Sequence, residues 1–432
     1  MPSIWRETTE LPRFAPLKGD LRTDVLIVGG GMTGVLCAHL LREQGVDCAL
    51  AEAEHLAWGT TGDTTAKLTV QHGLLYHKLL RQTGREGALT YLRLQQAALE
   101  RYRALCADIA CDFVNEDNYV YTLNDPKTLR AELSALQSLD YPARLEEKPP
   151  LPMPVAGAVG VPEQARFHPL KFLAAIAPGL PIYEHTKVRE LLPGKAVTNR
   201  GTITADHIIL ATHFPILNKH GGYFLKLYQH RSYVLALENT PPVDGMYVDD
   251  SGTGLSFRMS GDLLLLGGGG HRTGKSGGGW RELEQFAAKH WPQATIRARW
   301  AAQDCMSLDG LPYVGRYSAA TPNLLVASGF NKWGMTNAMA AAMVLCDLVQ
   351  GKTHPAAALL DPSRSILRPQ LAVNLLESAV NLLTPTTPRC PHLGCALKWN
   401  EQEHSWDCPC HGSRFDEGGN LLDGPATADK QM

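Results

Sequence analysis

The chain lacks a dominant charge. Across 432 residues, 41 lysines and arginines stand against 43 acids, a formal net charge of -2. No global field therefore draws it to nucleic acid or to an anionic membrane. It also lacks long apolar runs. The longest, such as NAMAAAMVLCDLV (337–349), fall short of the ~20 residues a membrane-spanning helix needs. The opening MPSIWRETTE has no basic region followed by an apolar stretch, so no signal peptide is expected. No internal repeat is visible. With 44% hydrophobic and 19% charged residues, the composition is that of an ordinary globular protein, and the length suggests two or three domains. The expectation is a cytoplasmic protein, where clustered cysteines bind metal or do redox work more often than they form bridges.

What the chain does contain begins at TDVLIVGGGMTGVLCAHLLREQGVDCALAEAE. The apolar run Val25 to Val28 suits a buried parallel strand. A G-x-G-x-x-G pattern follows at Gly29, Gly31 and Gly34. Helix-forming sequence runs from Val35 to Glu43, and a second strand, Cys48 to Ala51, ends at Glu52. Gly29 permits a tight turn, Gly31 lets backbone approach a pyrophosphate, and Gly34 lets the helix pack on the strand. The helix N-terminus favours the anion. Glu52, 18 residues past Gly34, can accept hydrogen bonds from ribose hydroxyls, and its charge opposes the 2′-phosphate of NADP. The fingerprint alone does not separate FAD from NAD.

Downstream, AVTNRGTITADHIILATHFPI (196–216) reads as a strand, a turn at Arg200–Gly201, a second strand, then an apolar strand His207 to Leu210 ending in Ala211–Thr212. Residues 308–351 give a strand, Leu324 to Ala327, a turn between Gly329 and Gly334, and a long small-residue helix. Such a turn can offer backbone N–H groups to a flavin or its pyrophosphate, although a plain connection would look the same. Residues 72–150 are helical in spacing and then alternate in FVNEDNYVYTL. LEEKPPLPMPVAG (145–157) is a proline-rich connection, and 221–300 is mostly strand. Within it Arg231, Tyr233 and Arg258 are candidates for a carboxylate- or amine-bearing substrate, since arginine grips carboxylates bidentately. The commoner role of each is structural. GGHRTGKS (269–276) fits the phosphate-loop pattern, but Gly277, Gly278 and Gly279 follow where a helix should start. ATP binding is set aside in favour of a strand and loop near the substrate pocket, presenting His271 and Arg272.

These residues resemble the FAD-dependent amine and amino-acid oxidoreductase family, which includes D-amino-acid, glycine and sarcosine oxidases. VLIVGGGMTG, WGTTGDTTAK (58–67), ADHIILATHFP and DGLPYVG…ASGFNKWGMT occur in the family's order between about residue 22 and 351. The resemblance implies an α/β chain with an FAD-binding, Rossmann-like domain of the glutathione-reductase type and an α+β substrate domain. The FAD-binding part would comprise roughly 20–70, 155–220 and 305–355, and the substrate part 72–150 and 221–300, within an oxidoreductase domain spanning 1–355. It implies that Gly29, Gly31, Gly34 and Glu52 hold the ADP half. Thr60, Thr61, Thr65, Ala66 and Lys67 would lie near pyrophosphate and flavin, and Val188 at the adenine. Ala211 and Thr212 would border the cofactor. Gly329, Phe330, Gly334, Met335 and Thr336 would meet pyrophosphate, ribityl chain and pyrimidine edge. Lys67, Arg231, Tyr233, Arg258 and His271 would be the substrate-side candidates for catalysis, with no unique base fixed by spacing.

The C-terminal region (356–388) reads as a linker with an amphipathic helix. LAVNLLESAVNLL (371–383) places apolar residues at 371, 375, 379 and 382, a face expected to dock on the flavoprotein body rather than a membrane. Then come CPHLGC and CPCHGS. Cys390-x-His392 and Cys408-x-x-His411 supply two thiolates and two imidazoles, which suit either tetrahedral zinc or a 2Fe–2S cluster with cysteines on one iron and histidines on the other. Cys395 and Cys410 are spare, and zinc would not need them. The pattern closely resembles the Rieske iron–sulfur family and implies a small all-β module over 389–432. By position Cys390 and Cys408 would bind one iron and His392 and His411 the other. Cys395 and Cys410 would form a disulfide, Ser413 would hydrogen-bond a cluster sulfur, and DGPATADKQM would be the proline loop over the cluster. Phe415 stands where high-potential members carry a tyrosine donor, so a low to middle reduction potential is expected. The usual strands before the first motif are missing, so cluster, disulfide and docking are all expected to hold the module. Together the parts imply oxidation of an amine or amino-acid-like substrate at FAD, with electrons leaving through the cluster to an external acceptor. The alternatives are a reductase or electron-transfer protein fed by another reductant, for which no second dinucleotide fingerprint is present, and a redox sensor without turnover.

Overall fold

The structure, a computed structural model, describes residues 2–217, 220–251, 254–385 and 388–429. The last three residues of the segment expected to cover the cluster, and two within TPTTPR, lie outside these. Three sheets organise the described residues. The first has the order Tyr313–Arg316, Leu324–Ser328, Thr202–Leu210, Leu21–Val28, Cys48–Ala51, Ile182–Tyr183, parallel from Leu324–Ser328 onward. Val25, Leu26, Ile27 and Val28 are all buried, as a strand covered on both faces requires. The register sets Val28 opposite both Leu210 and Ala51. Three strand ends therefore open together, the edge where nucleotides bind in such sheets. The strand expected after the Arg200–Gly201 turn and the apolar strand His207 to Leu210 form one continuous strand, Thr202–Leu210.

The second sheet is nine-stranded and largely antiparallel. Its main path runs from Thr295–Ser307 through Leu227–Glu238 and Leu263–Arg272 to Gly157–Arg166 and Lys67–Leu68. The stretch expected to begin as a strand at Tyr223 starts with one helical turn, Tyr223–Lys226. The long helix Tyr76–Cys106 breaks its regular geometry at Gly84, where φ is 69°. The region expected to be a linker is fastened to the body. Arg364 grips both oxygens of Asp309 at 2.8 Å and sits 3.9 Å over the Tyr313 ring.

The third sheet is a four-stranded antiparallel meander, Lys398–Asn400, Ser405–Asp407, Arg414–Phe415 and Leu421–Asp423. Its buried core is Cys390, Cys395, Leu397, Cys408, Cys410, Phe415 and Ala426. Four of those seven are cysteines, so little apolar area holds this module by itself. Charge at its interface does much of the rest. Glu403 is buried between two guanidiniums: it accepts from Arg231 of the body, at 2.9 Å through Nε, and from Arg414 of its own sheet at 2.8 Å. Arg414 also meets Asp407 and Asp423, each at 3.0 Å. The Tyr233 hydroxyl donates to Glu403 at 3.0 Å and lies 2.9 Å from His271 Nε2. Arg231 and His271, expected at the substrate, instead face the cluster module. Arg272, expected beside them, donates to the Pro409 and Cys410 carbonyls.

The helix Pro369–Leu383 forms, but the side expected to dock is outermost. Asn374 and Asn381 are buried, while Leu375 and Leu382 are 48% and 47% exposed. The asparagine face wins because it has partners. Asn374 accepts from Arg272 and donates to the Leu225 carbonyl, and the Asn381 carbonyl accepts from the Ala396 N–H.

Burial pushes the Glu403 carboxyl up, but Arg231 and Arg414 outweigh it and hold the group at about 2, against an ordinary 4.5. A depressed acid contributes stability above its unfolded value and loses it as pH falls. Through this group, stability of the docked module is expected to be full above pH ~5 and to fall by about 3 kcal/mol toward pH 2. Thermal melts of the module from pH 7 downward, in the wild type and in Glu403→Gln, check this. The variant should be destabilised by about 3 kcal/mol at pH 7, with a flatter acid limb.

Candidate functional site

One cavity of about 880 Å³ opens where the parallel strands end. Gly29, Gly31 and Glu52 line one end, with Thr60, Thr61, Thr65, Lys67, Val188, Ala211, Thr212, Gly329, Phe330, Gly334 and Met335 along it. These fourteen were expected at the cofactor. Gly34, Ala66 and Thr336 stand behind the wall. A Cβ at Gly34 would lie 1.9 Å from the Gly29 carbonyl oxygen, and one at Gly29 would lie 2.7 Å from that of Ala211. Only bare backbone fits that crossing of strand, turn and helix. Glu52 Oε2 accepts from the Gly30 N–H at 2.6 Å and Oε1 from Glu54 at 2.8 Å, fixing the carboxylate at the cavity edge. Cavity shape, glycine cradle and placed acid fit an adenine dinucleotide. Thr336 instead exchanges hydrogen bonds with the Thr69 backbone.

Of the five substrate-side candidates, Lys67 and Tyr233 line the cavity. Burial, then the charge of Arg258, lowers the Lys67 ammonium to about 7. Arg258 is itself buried and spends three hydrogen bonds on backbone: Thr65 O at 2.6 Å, Ala66 O at 2.8 Å and Met259 O at 3.1 Å. It positions the turn that carries Lys67 and is not among the cavity-lining residues, which corrects its expected place at the substrate. Three groups of the lining were not anticipated. Burial raises Asp304 and lowers Lys332, and each charge favours the other. His213, lowered by burial, sits at φ 63° directly after the Thr202–Leu210 strand. Nothing in spacing marks Asp304 or Lys332, which meet only in the folded chain.

The last part of the cavity wall comes from the cluster module. Leu421 to Ala426, Thr427 and Asp429 line it. Gln229 Nε2 donates to the Gly424 carbonyl at 2.8 Å and the His411 carbonyl at 3.1 Å, and Gln303 donates to Gly412 O at 2.8 Å. Two glycines allow this approach: a Cβ at Gly412 would lie 2.5 Å from Gln229, and one at Gly274 2.6 Å from Pro409. Gly274 belongs to the phosphate-loop look-alike, whose glycines admit protein here.

Within the module, the Cys395 and Cys410 sulfurs are joined. Sulfurs of Cys395, Cys408 and Cys410 lie within 4.8 Å of one another. Because two of these are spent on each other, Cys408 is left to its neighbour Cys390, to which its thiol hydrogen-bonds. Those thiols stand in for the thiolates that would meet iron. The His392 and His411 rings lie 5.0 Å apart at 85°. Burial lowers them to about 4 and about 3, so both are neutral and able to ligate. His411 Nε2 donates to the Phe224 carbonyl at 3.0 Å, and its buried Nδ1 has no hydrogen-bond partner among the described residues. A ring held by one nitrogen, with the other buried and unpartnered, fits a metal ligand whose second nitrogen is fixed by the protein. Ser413 hydrogen-bonds the Cys390 sulfur and accepts from the Ala426 N–H at 3.0 Å. The Phe214 ring, on the cavity wall, lies 6.4 Å from each histidine ring.

Fold and cavity define a flavoprotein oxidoreductase body carrying an iron–sulfur module. A family model described as FAD dependent oxidoreductase matches residues 24–348, and a Rieske [2Fe-2S] domain model matches 372–431. The chain belongs to the FAD-dependent oxidoreductase family, and its cofactors are FAD and a Rieske-type 2Fe–2S cluster. It is 33% identical over 98% of its length, and 96% of the relative's, to the protein YhfW of Bacillus subtilis, named for a Rieske 2Fe-2S iron-sulfur protein. Over 37 residues, 9% of this chain and 21% of the relative, it is 54% identical to the cytochrome b6-f complex iron-sulfur subunit of Nostoc punctiforme. Its fold is similar to that of glycine oxidase from Geobacillus kaustophilus, with TM-score 0.68, 21% identity, and coverage of 80% of this chain and 100% of that one.

Gly34→Ala is expected to yield protein without flavin absorption that keeps its iron–sulfur bands. Absorption spectra of the purified variant check this.

Proposed function

We propose that the protein oxidises an amine or amino-acid-like substrate and delivers the electrons to an external acceptor; bound FAD would supply hydride acceptance and the Rieske-type cluster one-electron transfer. The observation that carries this reading is the shared wall: the cluster module's own tail lines the cavity that the nucleotide glycines open. Phe214 borders that cavity and both proposed histidine ligands. Gly29, Gly31, Gly34 and Glu52 would hold the ADP half, and Cys390, His392, Cys408 and His411 the two irons. The fold likeness to glycine oxidase supports a substrate with a CH–NH group.

Among the chain's own residues, Lys67 has the clearest part. Near neutrality its amine is partly unprotonated, so it can take the proton of a substrate ammonium and leave the free amine that oxidation requires. Tyr233, anchored through Glu403, would orient the substrate from the opposite sheet strand. Flavin reduction by substrate is expected to rise with pH through about 7. Lys67→Met should slow it about 100-fold and remove that limb, as read by stopped-flow bleaching at constant flavin content.

Anaerobic mixing tests the electron path. A substrate that bleaches the flavin should bring up the EPR signal of a reduced cluster, at no more than one electron per cluster. Bleaching without any cluster signal would refute the path while leaving the oxidation intact.

A further inference from the structure

The described residues include fifteen large apolar side chains in exposed positions, and six of them lie on the Pro369–Leu383 helix. Val373, Leu375, Leu376, Val380, Leu382 and Leu383 are 48%, 48%, 66%, 52%, 47% and 82% exposed. Leu371, Ala372 and Ala379 lie among them on the same side. At ~100° per residue this apolar arc spans about 200° of the helix. No charged residue falls within it. The helix's one acid, Glu377, is on the docked side and paired with Lys275 at 2.7 Å. Leu367, 81% exposed, extends the patch before the helix. Leu393, 42% exposed and next to His392, lies beyond its end.

We infer that this helix is an interfacial anchor that lays the protein on an anionic lipid bilayer. A helix docking in a protein groove needs a stripe about half as wide, with polar residues at its rim to fix register. Here more than half the circumference is apolar and nothing within it specifies a partner, which suits the acyl–headgroup boundary. Charge agrees. Arg368 occupies the N-cap position without a side-chain cap bond, and Arg389 donates to the Asn381, Leu382 and Thr384 carbonyls at the last turn. Basic groups thus bracket the arc at both ends, where anionic headgroups would meet them. Among the described residues no helix is long and apolar enough to cross a membrane, so the attachment proposed is peripheral. The near-neutral whole chain hides this, because the attraction is local. The asparagine face fixes the geometry: it holds the helix rigidly to the body and to the Cys390–Cys395 loop, which brings the cluster module to the membrane side. The inference is independent of the electron path above.

Vesicle sedimentation of the full holoprotein tests it. With phosphatidylcholine/phosphatidylglycerol vesicles most of the protein should pellet, and with phosphatidylcholine alone less. Leu376→Glu/Leu383→Glu should weaken binding by at least roughly tenfold with unchanged flavin and iron–sulfur absorption. A second readout avoids the double variant. The free cysteines among the described residues are all buried, so Leu383→Cys can be labelled with an environment-sensitive fluorophore, which should shift to the blue on adding vesicles. Protein that stays in the supernatant with both vesicle types, or a label that does not shift, overturns the proposal. So does a wild-type dimer in sedimentation velocity that the double variant splits, since a second copy would then be the occupant.

Discussion

Glu403 is a carboxylate with almost no water, placed between guanidiniums from two different parts of the fold. Neither arginine alone would suffice. Arg414 belongs to the same small sheet and must also serve Asp407 and Asp423, so without Arg231 the module would carry an excess of buried negative charge. A buried pair of this kind adds little net stability against a well-packed apolar alternative, yet breaking it is costly. It therefore acts less as glue than as a condition: the module is comfortable in one docked position and strongly penalised elsewhere. Much else follows. The carbonyls of the second cluster loop, residues 409–412, find donors on Gln229, Gln303 and Arg272 only in that position, and the His411 ring finds Phe224.

The same docking completes the cofactor cavity. An oxidoreductase body without the module would be open along one side, where residues 421–429 now stand. The cavity and the cluster module thus share a wall rather than standing as two sites on a string. A core of seven buried residues, four of them cysteine, is adequate for such a module because the body supplies the missing surface. The strands that a self-standing domain would need before its first cysteine are replaced by contact with the Leu227–Glu238 and Leu263–Arg272 strands.

The parts that could be read from the chain are those whose chemistry is local. G-x-G-x-x-G, the acid after it and the C-terminal glycine turn act through backbone geometry within a few residues, and the fold brings them to one cavity as expected. The Cys/His motifs work through short loops, and the fold sets Cys390 beside Cys408 and His392 beside His411. What could not be read depends on which way a side chain faces once sheets assemble. Alternation tells that Arg231 and Tyr233 share a face of their strand. It does not tell that the face meets another module, so the sequence pattern alone points Arg231 and His271 at a substrate and Arg272 at the pocket. The Pro369–Leu383 helix makes the same point in reverse. Periodicity placed an apolar face correctly, but burial went to the side with hydrogen-bond partners. Asp304, Lys332 and His213 come from three separate segments, and no pattern in any one of them announces the meeting.

The grip falls on one cluster loop only. Gln229, Gln303 and Arg272 hold carbonyls of residues 409–412, and the Phe224 carbonyl holds the outer nitrogen of His411. His392, on the other loop, is half-buried between exposed Pro391 and Leu393. The module therefore has a closed side, sealed by the body, and an open side at His392, where a soluble molecule would first meet it.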